Sequence, residues 1–207
     1  MFWIIPDSLR VKDHVVGGAR APLAGIRIAV IGNLGAGSGF VDDDKLQDLV
    51  RKANTVRPDL VLLAGDYAGT MAPDAIAAHL ARLEAPMGVF AVLGEADTAQ
   101  MGQALEQAGI FVLRNFHVVI NTRRGPLLLA GLSAGQGRAL APLPPGTTLC
   151  LAHDAAALDG QACDLAVAGS GATPGLTLAG GKSLFVAPGL RREGLLSIPE
   201  ISLLKIQ

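Results

Sequence analysis

Pro58-Asp59-Leu60-Val61-Leu62-Leu63-Ala64-Gly65-Asp66 is the stretch on which the reading of this chain turns. Its unbroken apolar run between Asp59 and Gly65 leaves no polar face, which predicts a short strand buried on both sides. Asp66 then sits at the carboxyl end of that strand, where open α/β sheets place their ligand sites. Alone, a Gly-Asp pair is an ordinary turn cap. Repetition gives it weight: residues 26–33, 89–95 and 148–154 are further apolar runs that end in small or polar residues. Four strands delivering polar groups to one edge predict a site there.

The 207 residues carry 17 Lys and Arg against 18 Asp and Glu, for a net charge of -1. That balance gives no electrostatic basis for binding nucleic acid or an anionic membrane. Half of the residues are hydrophobic while only 4% are aromatic, so the expected core is aliphatic and closely packed. The length suits one domain over residues 1–207. Met1-Phe2-Trp3-Ile4-Ile5 is apolar, but Pro6 ends the run before it could span a bilayer or act as a signal segment. Cys150 and Cys163 flank His153, and C-x-x-H by itself is too little for a zinc motif. Both cysteines are expected to be buried free thiols, and the expected location is cytoplasmic.

Around the central strand, Val11, Val15 and Val16 suggest an edge strand, and residues 26–31 form the next strand. Gly32-Asn33-Leu34-Gly35-Ala36-Gly37-Ser38-Gly39 leads to Asp42-Asp43-Asp44, an acidic helix start. Leu46, Leu49, Val50 and Ala53 keep helical spacing until Pro58 stops the helix. A second helix is predicted over 73–83, with Ile76, Leu80 and Leu83 on its apolar face and His79 off it in solvent. A strand over 89–93 and a helix over 100–108 complete the alternating half. Strands follow at 110–113, 117–121, 127–130, 148–152, 165–168, 184–186 and 201–206, with a hairpin turn at Arg123-Arg124-Gly125. Helix–strand alternation giving way to strand pairs predicts mixed sheets with helices outside.

Two phosphate-binding motifs are approached and missed. Gly35-x-Gly37-x-Gly39 lies between a strand and a helix, but Phe40 stands where the dinucleotide fingerprint needs its last glycine. Gly181-Lys182-Ser183 ends like a P-loop, yet Leu176 occupies the place of the first glycine. A nucleotide-binding α/β module is therefore kept as a lesser alternative.

The fuller match is to a family. Residues 26–37, 58–66, 88–97, 151–154, 164–172, 184–190 and 199–206 follow one another as the conserved segments of the bacterial calcineurin-like metallophosphoesterases do. The chain resembles that family over about residues 23–206. The resemblance implies an α/β fold of two facing mixed β-sheets flanked by helices, a four-layer αββα sandwich. It also implies two metal ions that clamp a phosphate and activate a water.

At the positions that would hold the first ion, this sequence has Asn33, Gly35, Asp66 and Ala172. Gly35 and Ala172 carry no donor, and an asparagine carbonyl is a poor substitute for a carboxylate on a divalent ion. The positions of the second ion hold Asp66, Glu95, His153 and Ser170. Asp66, Glu95 and His153 remain plausible ligands for a single zinc, manganese or magnesium ion. Ala96 replaces the histidine that protonates the leaving group, and Asp97 keeps the place of that histidine's orienting partner. A missing general acid alone costs roughly 10²–10⁴ in rate.

The resulting expectation is a catalytically silent phosphoesterase scaffold that needs no cofactor. Its cleft would bind a small ligand or a protein partner, with Asn33 or Ser170 supplying hydrogen bonds. The alternative is weak single-metal hydrolysis through Asp66, Glu95 and His153.

Overall fold

The computed structural model describes residues 9–18, 21–37, 41–134, 140–171, 173–179, 182–190 and 199–207. Residues 1–5, Ser38, Gly39, Phe40, Ala172 and Gly181, all used in the sequence reading, lie outside the described residues. Twelve strands form two six-stranded sheets. In the first, β1 (Arg10–Val16), β12 (Glu200–Ile206), β2 (Arg27–Ile31), β3 (Leu60–Ala64), β4 (Val89–Val92) and β5 (Phe111–Val112) lie in that order. The second runs β10 (Gly175–Ala179), β11 (Lys182–Val186), β9 (Leu165–Ser170), β8 (Thr147–Asp154), β7 (Gly125–Leu132) and β6 (Phe116–Thr122). Both are mixed: β12 is antiparallel to β2 in the first, and β10–β11 and β6–β7 are antiparallel in the second.

The expected two-sheet α/β architecture is therefore the observed one. β3 is buried along its whole length, as its continuous apolar run requires. Its even-numbered side chains Leu60, Leu62 and Ala64 join Ile28, Val30, Leu129, Leu151 and Phe185 between the sheets. The alternate residues Val61 and Leu63 face a separate core shared with the helices α1 (Asp43–Thr55), α2 (Pro73–Leu80) and α3 (Ala99–Gln107). Asp42 caps α1 by accepting from Lys45 N at 2.9 Å, and Thr98 caps α3 by accepting from Met101 N at 3.3 Å. The outer layers differ from each other. Among the described residues, the outer face of the second sheet is covered by the 3₁₀ turn Ala155–Leu158 and neighbouring loops, not by an α-helix.

The edge strand β1 is fastened by a buried charge. Glu200 has no exposed side-chain surface, and its Oε2 accepts from Arg10 Nε and Nη2 at 3.1 and 2.8 Å. His14 Nε2 and Ser202 Oγ lie 2.9 Å from Oε1. Burial raises this carboxyl, and the hydrogen bonds from His14, Ser202 and Arg10 outweigh it, so the group sits below the ordinary value.

Three expectations are corrected. His79 is not solvated: its side chain is 13% exposed, and Nε2 meets Asp43 Oδ1 at 2.8 Å, tying α2 to the start of α1. β10, an edge strand, had no counterpart in the sequence reading, because Gly175-Leu176-Thr177-Leu178-Ala179 is short and bounded by glycines. The largest correction concerns the cysteines. They are not free thiols but a disulfide, with Cα atoms 5.8 Å apart. Cys150 lies on the outer face of β8, and β9 runs parallel beside it with Ala166 opposite, which brings Cys163 alongside. A chain-order reading misses this, because the pairing comes from sheet registry rather than from spacing. Disulfides persist in oxidising compartments, so the argument for a cytoplasmic location loses its main support. Among the described residues, no helix is long and apolar enough to cross a membrane.

The disulfide closes a short loop and joins the middle of β8 to the segment just before β9 in an apolar setting. Loop-closure entropy puts its contribution at about 3 kcal/mol. Replacing both residues, Cys150→Ala with Cys163→Ala, should lower Tm by about 6–12 °C with the circular dichroism spectrum retained. Thiol titration of the unfolded, non-reduced chain should find no free thiol.

Candidate functional site

The carboxyl ends of β2, β3 and β4 and those of β8 and β9 meet at one end of the sandwich, where Asn33 reaches Gly169 and Asp66 reaches His153. The chain leaves β3 by a sharp turn in which Gly65 and Asp66 both have left-handed backbone, with φ of +84° and +55°. Such a φ is uncommon for aspartate and marks a conformation imposed by its surroundings. A Cβ on Gly65 would lie 2.7 Å from Gly94 N and 2.8 Å from His153 Nδ1. A Cβ on Gly94 would lie 2.0 Å from Asp66 Oδ1. Glycine at both positions lets the β3 and β4 loops touch.

That contact is organised by Asp97. Its Oδ2 accepts from Asp66 N and Gly94 N, each at 2.8 Å. Its Oδ1 accepts from Tyr67 N at 2.8 Å and Ala68 N at 3.4 Å. The expected orienting partner of a histidine thus serves as a clamp on two loops, satisfying amides that a left-handed turn leaves without sheet partners. Burial pushes the Asp97 carboxyl above its ordinary value of 3.8, against the opposite pull of those four amides.

Tyr67, unforeseen in the sequence, extends the clamp. Its buried hydroxyl lies 2.9 Å from Leu63 O and 2.8 Å from Val92 O, spanning the ends of β3 and β4. Burial first, and the Asp97 charge next, raise this phenol well above 10, so it stays neutral. Ser133, also unforeseen, donates to Leu113 O at 2.7 Å and accepts from Leu93 N at 3.0 Å. The only signal for Ser133 was a lone polar side chain directly following an apolar strand, and Tyr67 carried none beyond its place beside Asp66.

With its backbone so fixed, Asp66 turns its carboxylate toward the second sheet. Oδ2 lies 3.4 Å from His153 Nε2, and Oδ1 accepts from Ala96 N at 3.3 Å. His153 is 8% exposed and its Nδ1 lies 2.9 Å from Ala64 O. A carbonyl only accepts, so Nδ1 donates to Ala64 O, and Nε2 is the nitrogen that faces Asp66. A histidine fixed through a backbone carbonyl is oriented as metal-ligating histidines are.

The remaining expected residues do not complete a metal centre. Asn33, also left-handed at φ +47°, donates Nδ2 to Gly169 O at 2.9 Å and so bridges the end of β2 to β9. Gly35 N bonds Asp66 O at 2.9 Å. Glu95 is exposed and lines a small cleft of about 180 Å³ with His153, Asp154, Ser133 and Leu132. Ser170 ends β9 opposite Asp154 in the strand register. Among the described residues, no three His, Cys, Asp or Glu side chains are placed to hold an ion. Asp66 and His153 supply two donors, short of the three or four protein ligands of stable zinc sites. The donor set does not fit the metal pair the resemblance implies.

No family model matches the chain, and no curated protein matches it in sequence. Solved structures do. The chain is similar to TT1561 of Thermus thermophilus, with a TM-score of 0.52 and 15% identity over 80% of this chain and 90% of that one. It is also similar to the phosphopantetheinyl hydrolase of Mycobacterium tuberculosis, with a TM-score of 0.50 and 14% identity over 86% and 96% of the two chains. At such identities the likeness concerns fold, and it agrees with the sandwich described above.

The Asp97 clamp predicts an unequal cost of two loop substitutions. Asp97→Asn places an amide donor against backbone N–H groups and should cost about 2–4 kcal/mol, or roughly 4–16 °C in Tm. Glu95→Gln, on an exposed side chain, should stay within about 0.5 kcal/mol. Because the folded Asp97 carboxyl is raised, its ionisation costs stability. The wild-type advantage over Asp97→Asn should therefore shrink as pH rises from 3.8 through the raised value, as read by denaturant unfolding.

Proposed function

We propose that this chain, built on the metallophosphoesterase sandwich, is a non-catalytic member of that fold that binds a small ligand or a protein partner in its former metal cleft. The observation that carries the reading is the use to which the site's polar groups are put. Asn33 spends its amide on Gly169 O, Asp97 is saturated by four backbone amides, and Ala96 offers no acid. What remains for a ligand is the partly exposed Asp66 carboxylate, backed by the buried His153, and the small cleft beside it, with Glu95 and Ser133 on its walls.

Phosphoester hydrolysis on this fold needs positive charge where the phosphate sits and a group to protonate the leaving oxygen. Here the described groups facing that position are the carboxylates of Asp66 and Glu95 and a single imidazole. Without cations such a cleft repels a phosphate rather than clamping it. The single-ion alternative draws support from the fixed orientation of His153, but it lacks a third ligand among the described residues.

Phosphomonoester and phosphodiester substrates assayed with added manganese should show no turnover above that of Asp66→Ala. Turnover that is clear in the parent chain and abolished in Asp66→Ala would overturn the proposal in favour of single-metal hydrolysis.

A further inference from the structure

The opposite end of the sandwich carries a second cleft, of about 390 Å³, where the amino ends of β2, β3 and β4 approach the β6–β7 turn. Its walls include Pro22 and Ile26 from the turn before β2, Met87 from the loop before β4, and the arginines of the hairpin. That volume lies in the range of small-molecule sites, ~300–1,000 Å³.

Among the described residues, the hairpin's own hydrogen bonds leave the side chains of its two arginines unused. Thr122 Oγ donates to Gly125 O at 2.8 Å and accepts from Arg124 N at 3.1 Å, while Gly125 takes φ +118°. Thr122 and Gly125 therefore close the turn, and with the positive φ confined to Gly125 neither position between them is restricted to asparagine, aspartate or glycine. Arg123 and Arg124 occupy both. Among the described residues Arg10, Arg51 and Arg114 each pair with a carboxylate, and Arg27, Arg57 and Arg82 do not. Among the described residues, no carboxylate pairs with either hairpin guanidinium. Asp59, the one acid lining the cleft, accepts from Arg27 N at 2.8 Å. Two guanidinia against one carboxylate leave the cleft net positive, beside an apolar wall of Pro22, Ile26 and Met87.

We propose that this cleft is a binding site for a small organic phosphate. The paired guanidinia take the dianionic group, since their planar forks match phosphate oxygens, and the apolar wall takes the organic body. The cleft is separate from the Asp66 end, and its occupancy does not depend on whether that end is silent.

Calorimetric titration of the full chain with phenylphosphonate at low ionic strength tests this, because a phosphonate cannot be hydrolysed at the other end. Saturable binding with Kd below about 1 mM is expected, weakened at least ~10-fold in the double variant Arg123→Ala, Arg124→Ala. Salt at about 0.2 M should weaken it several-fold. Benzoate should bind more weakly for want of a second charge, and benzyl alcohol should not bind. Asp66→Ala should bind as the parent does, and a Tm of the double variant within about 2 °C of the parent shows that its fold is intact. Absence of saturable phenylphosphonate binding, binding unchanged in the double variant, or binding lost in Asp66→Ala would each overturn the proposal.

Discussion

The turn at Gly65-Asp66 is stable only because the Asp97 carboxylate collects the amides that it exposes. A left-handed aspartate is strained, and strain of this kind survives only where neighbouring contacts outweigh it, at about 1–3 kcal/mol per residue. Here the outweighing contacts are local and dense. Asp97 ties the loop after β3 to the loop after β4, Tyr67 ties the two strand ends, and Gly65 and Gly94 remove the side chains that would hold the loops apart. The direction of the Asp66 carboxylate follows from this geometry, and so does the Asp66–His153 pair.

The two sheets are joined at the same end by polar bonds running in opposite directions. Asn33 on the first sheet donates to Gly169 O on the second, and His153 on the second donates to Ala64 O on the first. In a metal enzyme of this fold, ions bridge ligands from both sheets. Here hydrogen bonds from side chains to backbone carbonyls run between the two sheets. Asn33 carries no charge that would be costly to bury alone, and its side chain supplies a donor that closes the seam. On the proposed reading, hydrogen bonds close here what ions close in a metal enzyme of this fold.

The fold was legible because β3, β2, β4 and β8 are short apolar runs bounded by glycine, proline or aspartate, a pattern that does not depend on which polar residues follow the strands. The convergence of Asp66 with His153 was legible for the same reason, since strand ends set it. The role of Asp97 was not, because a carboxylate that orients a histidine and one that gathers amides look alike in sequence. Tyr67 and Ser133 were hidden by their dependence on carbonyls of neighbouring strands. The Cys150–Cys163 bond was hidden by registry, and β10 by its glycine-bounded, five-residue length. Where the sequence reading failed, the missing information lay between strands rather than along them.

Elemental analysis of the purified full chain by plasma mass spectrometry addresses the exchange of ions for hydrogen bonds most directly. The account predicts zinc, manganese and magnesium each below about 0.1 ion per chain after dialysis, a level equally low in Asp66→Ala. About one ion per chain, retained through dialysis and lost in Asp66→Ala, would contradict it, because a third ligand would then have to join Asp66 and His153.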